Sequence, residues 1–136
     1  GVMADICFGA ALALGEGNTK LRGQLEDLNR CCMAIMSAHV KNTEPILPSI
    51  GGVDLETMHK MSHDPGKYFG TGHFLPAPEQ GLALSWLNVL RTHIRDAERA
   101  LVRATEGEQQ ESLIRAMNRL SSAAYVLMCE NNNPAK

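Results

Sequence analysis

Three arginines and a glutamate fall at helical spacing within the ten residues "LRTHIRDAER", 90–99: Arg91, Arg95, Glu98 and Arg99. Guanidinium groups one turn apart project from the same side of a helix and present forked donors that fit phosphate or carboxylate oxygens. The same spacing also allows an i,i+3 ion pair of Arg95 with Glu98 on a solvated face, worth roughly 0.2–0.5 kcal/mol. The neighbouring stripe bears on the choice. Ala83, Leu87, Leu90, Ile94 and Leu101 align as an apolar face at helical periodicity, and Arg91, Arg95, Glu98 and Val102 run beside it rather than opposite. Charges at the margin of a buried face are partly desolvated and held in place, as an anion site requires. Spacing alone leaves both readings open.

Two further groupings carry chemistry. Near the C-terminal end, Leu113, Met117, Leu120, Ala124 and Leu127 form a core stripe, flanked by Asn118, Ser122 and Tyr125 at i, i+4, i+7. This flank is either solvated filler or a ligand-facing edge, with Arg119 next to it. His59 and His63 stand at i, i+4, a spacing that chelates a metal from one helical face or simply caps and packs. No carboxylate accompanies them at a standard ligand spacing. No glycine-rich phosphate loop of the Walker type is present, and no Cys/His nucleophile arrangement assembles from the sequence.

These groups must be positioned by helices. Of the 136 residues, 44% are hydrophobic but only 4% aromatic. A core of Leu, Ile, Met and Ala favours helix over strand. A formal net charge of −2 argues against an electrostatic nucleic-acid binder. The four cysteines (Cys7, Cys31, Cys32, Cys129) form no C-x-x-C pair and read as free thiols of a reducing cytoplasm. "ICFGAALAL" is apolar like a signal-peptide core, yet Asp5 precedes it, no basic segment leads it, and it is too short to span a bilayer. It reads as a buried helix.

The length suits a single helical domain over 1–136. Helices are predicted over roughly 3–14, Thr19–Val40, a short "LETMHKMSH" segment capped by Asp54, 82–104 and 109–129. The second carries Leu21, Leu25, Leu28, Cys32, Ile35 and Met36 as its apolar stripe. Pro45 and Pro48 forbid its continuation. The segment 64–81 has no periodic structure and is expected to be a long functional loop, ordered by Tyr68, Phe69 and Phe74. The tail 130–136 is expected to fray. The architecture is an all-α helical bundle of about four to five helices, without an internal repeat.

"HFLPAPEQGLALSWLNVLRTHIRDAERALV" followed by "AMNRLSSAAYVLM" resembles the ATP-dependent corrinoid (cobalamin) adenosyltransferases of the propanediol- and ethanolamine-utilisation type. The family pattern is roughly F-x-L-P, then R-T-x-x-R-x-A-E-R, then L-N-R-L-S; this chain has Phe74-Leu75-Pro76, the full arginine motif over 91–99, and Met117-Asn118-Arg119-Leu120-Ser121, in that order and separation. The intervening "GGVDLETMHKMSHDPGKYF" resembles the ethanolamine branch, and so does Ser122, where many propanediol-type members carry an acidic residue. The likeness runs from about Leu25 to Met128.

The resemblance implies a bundle, commonly trimeric, that binds ATP and a reduced corrinoid at a subunit boundary. Co(I) attacks the 5′ carbon of ATP, releasing triphosphate and forming adenosylcobalamin. It implies ATP-binding roles for Arg91, Arg95, Glu98, Arg99, Asn118 and Arg119. Arg95 and Glu98 would be the catalytic pair, and Glu98 would orient an arginine or phosphate-bound Mg²⁺. Tyr68, Phe69, Phe74, Leu75 and Pro76 would lie against the corrin. A metal at His59 and His63 is the alternative to a capping and packing role for that pair. The implied setting is cytoplasmic, in association with a bacterial microcompartment, with no nucleic-acid or membrane partner. The alternative is a non-catalytic corrinoid- or nucleotide-binding module acting as chaperone or regulator. The N-terminal nucleotide loop, or Cys-rich metal segment, with which family members begin has no counterpart here, so the chain is expected to be shortened at that end.

Overall fold

A computed structural model describes residues 2–70, 81–104 and 108–131. Six helices follow one another: α1 Val2–Gly15, α2 Thr19–Lys41, α3 Leu55–His63, α4 Pro65–Phe69, α5 Leu82–Ala104 and α6 Glu108–Glu130. Among the described residues there is no strand, only an isolated bridge of Ile50 with Val53 that pinches the connection into α3. The chain is all-α, as composition and periodicity predicted, and the helix limits agree with the sequence reading to within a residue or two.

Capping explains the limits. Asn18 accepts a hydrogen bond from the Leu21 amide at 3.1 Å, and Asn42 closes α2 in the left-handed conformation, φ 55°. Asp54 opens α3 as expected: its carboxylate accepts from the Thr57 amide at 2.7 Å and from the Thr57 hydroxyl at 2.9 Å. The expectation of an irregular segment from 64 onward needs correction. Residues 65–69 form the extra helix α4, because Pro65 occupies its first turn, where a missing N–H costs nothing, and Gly70 ends it at φ 72°. Among the described residues the helices are the five expected ones and α4. Residues 71–80, and with them Phe74, Leu75 and Pro76, lie outside the described residues, as does 132–136 of the tail.

α6 is the centre of the arrangement. It packs against α5, α2 and α3, while α1 packs against α2 and α5. Leu87, Leu90 and Ile94 of α5 and Leu120, Ala124 and Leu127 of α6 are wholly buried, which confirms both apolar stripes. On α2 the stripe is Leu21, Leu25, Leu28, Cys31, Cys32 and Ile35. Met36 is 58% exposed, contrary to expectation, because its position has rotated past the face that α1 and α6 cover.

The apolar α1 buries Ile6 and Ala13, and it approaches α5 closely at Gly9. A Cβ placed at Gly9 would stand 2.1 Å from the indole of Trp86. Gly9→Ala is therefore expected to destabilise the fold by roughly 1–3 kcal/mol through overpacking, more than the gain in helix propensity returns. Urea unfolding measures this. A variant as stable as the parent would mean that α1 and α5 are farther apart.

Candidate functional site

α5 and α6 lie side by side with their sequences running in opposite directions, so that Arg91 faces Tyr125 while Glu98 faces Asn118. The flanking stripes of the two helices thereby meet. α3 covers the same edge of α6 through the His59 ring, whose Nδ1 is 2.9 Å from the Ser122 hydroxyl. Between the three helices opens a pocket of ≈ 230 Å³. α5 lines it with Arg91 and Arg95, α6 with Asn118, Ser121, Ser122 and Tyr125, and α3 with His59, Ser62 and His63.

The walls are pre-positioned. The Arg91 guanidinium sits 5.7 Å from the centre of the Tyr125 ring, within cation–π range, which holds the fork without neutralising it. Arg95 is exposed at the rim and makes no ion pair among the described residues. The i,i+3 pair with Glu98 that spacing permitted does not form there. Glu98 turns inward instead. Its Oε2 accepts weakly from Asn118 Nδ2 at 3.5 Å, and its Oε1 is buried without a hydrogen-bond partner. A buried carboxylate oxygen left bare is costly and marks a place where a donor or cation fits.

Two expected residues are placed differently. Arg99 leans on Asp96 at 2.6 Å, exposed and outside the pocket. Arg119 lies with Arg115 and Glu56 around a separate opening on the other side of α3. Its Nε donates to Glu56 Oε1 at 2.8 Å and its Nη1 to Asn118 Oδ1 at 3.0 Å. Arg119 thus fixes the Asn118 amide so that the NH₂ end faces Glu98. Tyr68 is half-exposed beneath the Lys67 ammonium, 5.3 Å from its ring, and Phe69 packs on the core. Neither lines the pocket.

His59 and His63 meet edge to face, with their Nε2 atoms 3.2 Å apart. Among the described residues no group of three or more His, Cys, Asp or Glu is arranged to hold a metal. Burial, the Arg119 charge and His63 together hold the His59 pKa below its ordinary 6.5, against a smaller upward pull from Glu56. The unfolded chain therefore binds more protons than the folded one once the pH drops below about 6.5, and stability falls there. The carboxylates of Asp54 and Glu56 are held low by Thr57 and by Arg119, and their contribution is lost only as the pH falls through about 4. The melting temperature should therefore decline in two separate windows. His59→Gln should remove the upper one, as scanning calorimetry in anion-poor buffer would reveal.

The cysteines take no part in this. Burial pushes Cys31 up to about 12 and Cys32 to about 11, and Cys129 is also raised, so none is a thiolate near neutrality. The Cys31 thiol donates to the Pro48 carbonyl at 3.3 Å.

The pocket is smaller than the roughly 300–1,000 Å³ that encloses a whole ligand. Its chemistry is two guanidinium forks, an amide, hydroxyls and imidazoles, which suits the anionic end of a larger molecule. The sequence profile of the cobalamin adenosyltransferase family matches residues 5–131, nearly the whole chain. The chain belongs to the cobalamin adenosyltransferase family. Two curated relatives fall in the branch that the motifs indicated. The corrinoid adenosyltransferase EutT of Salmonella typhimurium is 34% identical over 98 residues, covering 69% of this chain and 37% of the relative. That of Escherichia coli K12 is 34% identical over 84 residues, covering 59% and 32%. The chain spans about a third of the length of these relatives. No solved structure matches it significantly.

The sequence reading placed Arg91, Arg95, Asn118, Ser122 and Tyr125 correctly on the helix flanks, and the structure brings them together. It did not foresee Ser62, nor that α3 would form the third wall. His59 and His63 at i, i+4 were the available signal, since such a pair faces one neighbour, but nothing in the sequence says which.

Proposed function

We propose that this chain is the adenosyl-transferring portion of an ATP-dependent cob(I)alamin adenosyltransferase. The observation that carries the proposal is the convergence of Arg91, Arg95 and Asn118 on one pocket within the segment that matches the family. In this reading the triphosphate of ATP lies against Arg91 and Arg95. Cob(I)alamin attacks the 5′ carbon, the C5′–O bond breaks, and the triphosphate leaves with the bonding pair. The two guanidinium groups stabilise charge that grows on the leaving oxygen, the largest service a protein gives such a displacement.

No side chain need act as nucleophile, since the reduced corrinoid is one. Glu98 is suited to the Mg²⁺ that accompanies ATP, because that ion is commonly held by one or two carboxylates plus substrate phosphates, and Glu98 Oε1 is bare. Arg119 acts through Asn118 rather than on the phosphates, and Arg99 stays outside. The corrinoid would rest against the segment from Tyr68 to Pro76.

Residues 1–136 are taken as one helical unit of a homo-oligomer, a trimer by analogy with the family. The small pocket supports completion of the nucleotide site by a neighbouring chain, and Met33, Met36 and Val40 offer exposed apolar surface on α2 for such a contact. Among the described residues no helix is long and apolar enough to cross a membrane. A cytoplasmic setting and a role in ethanolamine utilisation, beside or within a microcompartment, complete the proposal.

The test is direct. Protein incubated with ATP, Mg²⁺ and chemically reduced cobalamin should yield a light-sensitive adenosyl-corrinoid and one triphosphate per turnover. Retention of ATP or corrinoid without any product, unchanged by Glu98→Gln, would favour a non-catalytic binding module.

A further inference from the structure

We propose that His59 and His63 are a proton-accepting third wall of the anion pocket, taking up one proton when a polyphosphate binds opposite them against Arg91 and Arg95. The inference rests on the reading of this pocket as the triphosphate site, and it assigns α3 a part in that site.

Three observations carry it. First, the two imidazoles and a hydroxyl form a chain: the Ser122 hydroxyl lies 2.9 Å from His59 Nδ1, and His59 Nε2 lies 3.2 Å from His63 Nε2. A neutral pair shares one N–H between the facing nitrogens and leaves one ring nitrogen able to accept a proton. Two imidazolium rings cannot coexist at that separation, so the capacity of the pair is one charge. Second, both rings line the pocket together with Arg91 and Arg95, so a charge on them acts on whatever the arginines hold.

Third, the surroundings are poised. Burial and Arg119 on α6 oppose protonation of His59, and Arg91 and Arg95 on α5 line the same pocket; Lys60 on α3, Asp64 at its end and Lys67 on α4 are the other charged residues of these short helices. Glu56 on α3 favours protonation but is committed to Arg119, while the Tyr125 ring carries the Arg91 guanidinium. Without a ligand, burial and the Arg119 charge disfavour the charged form of His59. A bound polyphosphate carries several negative charges and inverts that balance, so the proton comes from solvent on binding. A cation at the same place would meet two guanidinium groups and only two imidazole ligands, which is why an anion is favoured over a metal.

Such coupling assists both binding and release. The extra charge tightens the grip on triphosphate, and loss of the proton to solvent loosens it again.

Inorganic tripolyphosphate is the probe. Calorimetric titrations of this chain at one pH, in two buffers of different ionisation heat, should reveal net proton uptake approaching one per site. Between pH 8 and pH 6 the affinity should rise by about 3–10-fold, below the limit of about tenfold per pH unit for a single proton. In proton NMR, one assigned imidazole of the pair should titrate at higher pH with tripolyphosphate than without. The double variant His59→Gln/His63→Gln should flatten the pH dependence and abolish proton uptake, with melting temperature as the check on folding. Binding without proton uptake, or uptake that survives in the double variant, overturns the proposal and leaves the pocket reading standing. No tripolyphosphate binding at any pH brings down both.

Discussion

Arg95→Ala should reduce kcat/KM for adenosyl transfer by about 10²–10³-fold, the loss typical when one preorganised donor to a developing anion is removed. Its stability should stay within about 0.5 kcal/mol of the parent, because Arg95 is exposed at the pocket rim and ion-paired to nothing among the described residues. A catalytic loss without a structural one separates ligand handling from packing. Arg95→Lys should recover only part of the activity, since an ammonium supplies the charge but not the two-pronged geometry. Arg99→Ala is the internal control. It is only four residues further on and equally basic, but it leans on Asp96 away from the pocket, so its substitution should leave turnover near that of the parent. Steady-state kinetics with ATP varied at saturating cob(I)alamin distinguishes these outcomes. An Arg95→Ala enzyme of parental efficiency, or an Arg99→Ala enzyme that fails equally, would mean that the triphosphate lies elsewhere on the helix.

Ile94→Ala tests the scaffold beneath the same site. Ile94 is wholly buried, one residue before Arg95 and one turn after Arg91, and it faces the α6 core. Truncation to a methyl group loses the transfer free energy of the removed carbons and leaves a void that helices cannot close. The expected cost is about 2–5 kcal/mol. For a chain of this size, melting should occur roughly 10–20 °C lower. Activity per folded molecule should fall as well, because a relaxed α5 shifts both guanidinium groups relative to Asn118. Thermal unfolding and single-turnover rates on the same sample check both claims. A stable, fully active variant would contradict the close packing of α5 on α6.

The pair of variants also exposes the logic of this molecule. Adjacent positions on one helix serve opposite purposes, one inside the core and one at its margin, and helical periodicity alone assigns them. Leu87, Leu90, Ile94 and Leu120, Ala124, Leu127 were legible as buried stripes because a helix must hide its apolar face. The cap at Asp54 follows from local chemistry as well, and so does the end of α2 before Pro45. α4 was not legible. Five residues give no measurable period, and Pro65 and Gly70 read equally well as loop punctuation or as the two ends of one short helix.

The site divides along the same line. Sequence by itself determined that this is an all-α chain, that Arg91, Arg95, Asn118, Ser122 and Tyr125 sit on polar flanks, and, through ordered motifs, which family to expect. These are properties of one helix at a time or of motif order along the chain. Only the tertiary structure decided that the two flanks face each other and that His59 and His63 close the third side. It also decided that Arg119 serves Asn118 from behind and that Arg99 is spent on Asp96. Those outcomes depend on the rotation of each helix about its axis and on which helix lies next to it. Both are fixed by burial of the shared core around Leu90, Ile94 and Leu120, and no local spacing encodes them.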